Sequence, residues 1–185
     1  MYATKDLRDE HEGIKIAIAV LDRLASDLKA GKMEVVDDAE QLIDFLKTFA
    51  DRCHHGKEED LLFPAMEKAG FPREGGPIGV MLAEHKQGRD YIRIMNDSLP
   101  GLHEGDAKAI SEFADAAHGY ASLLSSHIEK ENDVLFVMAE KSLPSAEHER
   151  LVEGFECMEQ ERIGPGVHER YHAMLNRLEA KYLTT

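Results

Sequence analysis

Apolar residues recur along this chain at intervals of four and three, and no two-residue alternation is sustained, so the pattern predicts helices and no sheet. A first helix is expected over residues 5–29, with Leu7, His11, Ile14, Ile18, Leu21, Ala25 and Leu28 on one seam and Gly31 ending it. A second is expected over 36–68, where Asp38 and Gln41 are spaced like a capping box. Gly70, Phe71, Pro72, Gly75 and Gly76 break it, and Pro77 suits the first turn of a third helix over 77–98. That helix carries Ile78, Leu82, His85, Ile92, Met95 and Leu99 on one stripe, and 100–105 reads as a loop. A fourth is expected over 106–141, with Phe113, Ala117, Tyr120, Leu124, His127, Glu131, Val134 and Met138 in strict four-three alternation. Pro144 stops it, Ser145 reads as the cap of a fifth helix, and Gly164-Pro165-Gly166 separates that from a sixth ending near Tyr182. The fold class is therefore all-α: an up-down-up-down four-helix bundle over 1–141, with a C-terminal helical appendage over 142–185 packed on it.

Histidines interrupt the apolar seams, and the interruptions repeat. His54-His55-Gly56-Lys57-Glu58-Glu59-Asp60-Leu61-Leu62-Phe63 matches His127-Ile128-Glu129-Lys130-Glu131-Asn132-Asp133-Val134-Leu135-Phe136, with His, Lys, Glu, Asp, Leu and Phe at the same offsets 73 residues on. Glu10-His11 precedes the first copy and Glu84-His85 the second, so the chain reads as two copies of a helix pair. A His and a Glu four apart share one helix face. His54 has Leu46 and Ala50 before it and Glu58, Leu61 and Ala65 after it on that face, so His54 and Glu58 are expected to point inward. His55 has Asp51, Arg52 and Glu59 as neighbours and is expected outward or at the flank, where it could still back the inner residues.

A lone histidine on an apolar stripe is usually a satisfied core residue. Four of them, with two carboxylates at matched offsets, are different, because burying two uncompensated glutamates is costly and a cation removes that cost. Pairing of Glu58 and Glu131 with Lys57, Lys130 or the histidines is the competing account, and a metal-free structural bundle is a third. His11, His54, Glu58, His85, His127 and Glu131 are the candidate metal ligands. Mixed imidazole and carboxylate donors suit Fe, Mn or Zn, with Fe and Mn favoured where carboxylates bridge. Six donors exceed one closed tetrahedral zinc site and fit two ions sharing Glu58 and Glu131. Glu10 and Glu84 are candidates to accept the second N–H of ligating histidines. Tyr120 either lines a pocket or packs the core. His103, His118, His148, His168 and His172 read as ordinary solvated or structural residues. The Glu-x-x-His spacing of ferritin-like bundles occurs only at Glu169 and His172.

Composition narrows the classes further. The net charge of −14 argues against nucleic acid or an anionic membrane as partner. No apolar run is long enough to span a bilayer, Lys15 interrupting the best one, and no signal peptide opens the chain. Cys53 and Cys157 do not form a C-x-x-C pair, which fits a cytoplasmic location.

In the order His11, then His54 through Glu58, then His85, then His127 through Glu131, with the flanking Lys57-Glu58-Glu59-Asp60-Leu61-Leu62-Phe63-Pro64, residues 6–140 resemble the hemerythrin-like (HHE cation-binding) family. The resemblance implies a non-haem centre of two Fe ions with oxo or hydroxo and carboxylate bridges. Oxygen-carrying hemerythrins have a further histidine where this chain has Arg89, and Asp where it has Glu131, so the chain is similar to the four-His, two-Glu branch. Fewer protein ligands leave positions open to a small diatomic or peroxide ligand. The resemblance thus implies a protein that binds and reacts with O2, peroxide or NO; the alternative is an iron- or oxygen-sensing or storage module without turnover. No individual catalytic residue follows from it.

Overall fold

Six helices, with no strand among the described residues, carry the chain; the computed structural model describes residues 2–184. We label them α1 (Thr4–Lys29), α2 (36–68), α3 (Pro77–Glu104), α4 (107–142), α5 (Ser145–Arg162) and α6 (Val167–Tyr182). In the bundle α1 packs between α2 and α4, and α3 closes the ring between the same two. α5 lies against α2 and α6 against α1. No helix of the described residues is long and apolar enough to cross a membrane.

The predicted seam of α1 is buried throughout, from Leu7 to Leu28. Each of the four long helices contributes apolar residues to two separate cores. One holds Ile14, Leu21, Leu42, Phe45, Ile92, Phe113, Tyr120 and Leu124; the other holds Leu7, Leu62, Phe63, Ile78, Met81, Leu135 and Phe136. His11, His54, His85 and His127 fall between the two cores along their own helices, so a polar layer is sandwiched by apolar ones.

Four local expectations are corrected. α3 does not end at Ser98 but runs through Pro100 to Glu104, and Gly105, at φ 72°, caps it in the left-handed region. A proline near a helix end removes one backbone bond, and here the fully buried Leu102 beyond it holds the last turn in the core. Asp38 caps nothing: it is buried and accepts hydrogen bonds from Arg177 (2.9 Å), Lys181 (2.6 Å) and Tyr182 (2.6 Å), tying α6 to α2. Ser145 is the first helical residue of α5, following Pro144 in extended conformation, rather than its cap.

The fourth correction concerns register. α2 is π-helical over Leu46–His55 and Glu58–Leu62, and α4 over Glu131–Leu135, so the internal repeat extends to the backbone. A π turn bonds i to i+5 and inserts a residue into the α-helical count. Every side chain after it is therefore shifted by one position around the axis. Val134 and Leu61, expected on the core face, give way to Leu135 and Leu62, which are fully buried, while Val134 is exposed.

Candidate metal centre

The six sequence-derived candidates meet in the polar layer, each no more than 1 % exposed: His11 from α1, His54 and Glu58 from α2, His85 from α3, and His127 and Glu131 from α4. Their donor atoms fall into two groups, His11–His54–Glu58–Glu131 and Glu58–His85–His127–Glu131, each within 4.8 Å across. Both groups contain both glutamates. Between them, His11 Nε2 and Glu131 Oε2 are 3.1 Å apart, His127 Nε2 and Glu131 Oε1 3.0 Å, and His85 Nε2 and Glu58 Oε2 3.4 Å.

The outward nitrogens explain how the inward ones are aimed. His54 Nδ1 donates to Glu10 (2.6 Å), His127 Nδ1 to Glu84 (2.8 Å), His85 Nδ1 to Glu59 (2.7 Å) and His11 Nδ1 to the Asn132 side-chain oxygen (3.0 Å). Carboxylate and amide oxygens only accept, so the proton sits on Nδ1 and Nε2 faces the centre. Glu10 and Glu84 serve the histidine of the neighbouring helix rather than the one beside them in sequence. Glu59 and Asn132, which follow Glu58 and Glu131 at matched positions, reach across to the other copy. The Glu59 and Asn132 contacts carried no sequence signal beyond their place in the repeat.

Glu58 and Glu131 do not pair with lysine: Lys57 donates to Glu10 and Glu159, and Lys130 to Glu84. All four oxygens of Glu58 and Glu131, with His11 Nε2, are buried without an aligned hydrogen-bond partner, so the short His11–Glu131 approach is a contact of distance and not of angle. Each such group costs on the order of 1–3 kcal/mol, more when charged. The donor chemistry fits a cation between them. Without one, protons do part of that work. Burial lowers the His85 imidazole, but its contacts with Glu131, Glu58 and Glu59 override this and hold it well above its ordinary value. Burial likewise raises the Glu131 carboxyl, yet His127, His11 and His85 around it bring it well below.

His55 is not outward. It is 2 % exposed, stacks on His85 at 3.9 Å between ring centroids, and forms a third potential donor group with His85 and His127. It ends the π segment Leu46–His55, in which each residue advances through a smaller angle than in an α-helix, so a residue next to an inward one also stays inward. Burial first, then the neighbouring His85, His127 and His54, push its imidazole well below the ordinary value, leaving it neutral, the form that binds metals. The repeat has Ile128 here, so His55 makes the two halves of the centre unlike.

Of the remaining candidates, Tyr120 is fully buried with an unpartnered hydroxyl that burial keeps protonated. His118 is exposed and paired with Asp22, His103 lies in the last turn of α3 beside Glu40, and His148 is buried where its Nδ1 accepts from the Ala3 amide. His168 does have a carboxylate partner, Glu159, at 2.8 Å. Cys53 is buried, its thiol pushed up to about 12 by burial, and Cys157 is exposed; both are free.

Comparison with known proteins gives one match: the family model for the hemerythrin HHE cation binding domain covers residues 2–139. No curated protein and no solved structure matches the chain.

Proposed function

The chain belongs to the hemerythrin HHE cation-binding family, and from that premise we propose that it is a non-haem di-iron protein that binds and reacts with a small oxidant: O2, peroxide or NO. The observation that carries this reading is the pair of donor groups sharing both glutamates. Each group offers two imidazoles and two carboxylates, a mixture that favours Fe or Mn over structural zinc. Carboxylates common to both groups suit bridging, and four histidines with two glutamates are fewer donors than two octahedral ions accept. Bound there, a pair of iron ions supplies the redox chemistry and the open positions for the small ligand.

The chain's own residues do the rest. The Nδ1 contacts of His11, His54, His85 and His127 fix tautomer and ring orientation, which is what outer partners of ligating histidines contribute. Phe136 stacks on His11 and Phe63 on His85, so the apolar core that holds them closes one side of the polar layer against water. With all six candidate ligands buried, only a small molecule reaches the centre without rearrangement of the bundle. That supports a diatomic or peroxide ligand over an organic substrate.

The test is an optical spectrum of the iron-loaded protein before and after addition of O2, peroxide or NO, with gas evolution followed in parallel. The account expects ligand-dependent charge-transfer bands. Steady peroxide consumption assigns turnover, and reversible O2 uptake alone assigns a binding or sensing role. A loaded protein whose spectrum responds to none of the three contradicts the proposal.

A further inference from the structure

The two halves of the bundle hold their histidines by matched arms, and only one arm continues beyond the bundle. In the second half, His127 donates to Glu84, Glu84 accepts from Lys130, and Lys130 is 38 % exposed, so the arm ends in solvent. In the first half, His54 donates to Glu10 and Glu10 accepts from Lys57, but Lys57 is only 3 % exposed. Its ammonium also donates to Glu159 of α5 at 2.9 Å. Glu159 in turn accepts from His168 Nδ1 of α6 at 2.8 Å, and His168 Nε2 faces His172 Nε2 at 2.7 Å. Five side-chain contacts thus run from the surface of α6 to the imidazole of His54.

The first of these two helices, α5, also supports the backbone beside His54. Arg162, at the end of α5, donates to the Arg52 carbonyl (2.8 Å) inside the π segment and pairs with Asp60. A Cβ on Gly56 would lie 1.9 Å from the Arg162 guanidinium, so this approach needs glycine there. Glu10, Lys57, Glu159, His168 and His172 line a cavity of about 300 Å³ between α1, α2, α5 and α6, with Phe45, Phe49 and Phe155 among its apolar walls. Lys57 thus borders open space and is held from two sides, by Glu10 and by Glu159.

We propose that Glu159 is a positioning residue for the metal centre: through Lys57 and Glu10 it fixes the His54 imidazole, so that the C-terminal helices make the His54 half of the centre more rigid than the His127 half. The match to the cation-binding family stops at residue 139, so this control is outside the shared domain. The consequence for metal binding rests on the di-iron reading; the positioning of His54 does not.

The experiment uses the full chain and follows the Nδ1 protons of His54 and His127 by NMR in metal-free protein, then iron binding in the same samples. In Glu159→Ala the His54 Nδ1 proton is expected to exchange roughly tenfold faster while that of His127 is unchanged, and one of the two irons binds roughly tenfold more weakly. Glu159→Gln, which keeps an acceptor for Lys57, recovers most of both effects. Equal loss of protection at both histidines would mean a general loosening, and unchanged protection at His54 would mean no coupling; either overturns the proposal. Should Glu159→Ala not fold, Glu159→Gln decides on the same readout, with a smaller shift at His54 alone supporting the proposal and none opposing it. Failure of the wild-type chain to take up iron would instead count against the di-iron reading.

Discussion

At the residue scale, the core glutamates and His55 make the sharpest predictions. Glu58 and Glu131 are buried with no aligned partners, so they destabilise a metal-free bundle and stabilise a loaded one. In chelator, Glu58→Leu is expected to leave stability unchanged or raise it by up to about 1–3 kcal/mol, because it removes a buried carboxylate with no aligned partner while Glu131 and Glu59 still face His85. With iron added, the same variant is expected to fall below wild type, because the stabilisation supplied by bound ligand is lost. Urea melts under the two conditions check this, and a variant equally destabilised in both contradicts it. His54→Ala and His127→Ala are each expected to cut metal content sharply, and His118→Ala to leave it unchanged, as read by elemental analysis. His55→Ala is now expected to weaken binding at the His85–His127 half alone, since its ring lies against His85. Two unequal binding steps reduced to one weak and one normal step would be the signature in a metal titration. The sequence showed His54 and Glu58 as an inward pair because a four-residue spacing survives small changes of helical pitch. It placed His55 at the flank because an α-helical pitch turns that position away from the core, whereas the segment is wound as a π-helix.

At the element scale, the π turns were the least legible feature, since no residue type demands one. Their effect is local but systematic: they exchange Val134 for Leu135 and Leu61 for Leu62 on the core face. Two of the three π segments carry an arginine on a backbone carbonyl, Arg162 on Arg52 and Arg8 on Asn132. The docking of α5 and α6 carries a pH dependence. Glu159 is held down to about 2 by the His168 hydrogen bond and by Lys57, from an ordinary 4.5. Its contribution is present above pH 4.5 and is lost as pH falls from there toward 2. His168 is raised above its ordinary 6.5, chiefly by the Glu159 hydrogen bond, so its contribution is present below pH 6.5 and is lost as pH rises through the raised value. Amide exchange in α5 and α6 is therefore expected to be slowest between pH 4.5 and 6.5, after correction for intrinsic rates. Protection that is flat across pH 6.5 would contradict the assigned pairing. Asp38→Ala is expected to loosen α6 from α2 and cost about 1–3 kcal/mol, because its carboxylate is the shared acceptor for Arg177, Lys181 and Tyr182. Thermal melts and proteolysis near residue 166 read that out.

At the scale of the molecule, helix number, order and the bundle itself were legible because each long helix keeps one apolar seam, and seams tolerate a one-residue slip. The gathering of four histidines and two glutamates was legible because the chain states it twice. What the sequence hid was the tertiary wiring: Glu59 and Asn132 crossing between halves, and the α5–α6 extension of the His54 arm, all contacts between residues far apart in the chain. The central claim is that this wiring aims six donors at two ions. The most direct measurement is an anaerobic ferrous titration of the full chain, with iron counted after removal of unbound metal, in wild type and in Glu131→Ala. The account predicts about two irons per wild-type chain and loss of both in the variant, since Glu131 belongs to both donor groups. A wild-type chain that retains no iron, or a Glu131→Ala variant that still retains two, would contradict it.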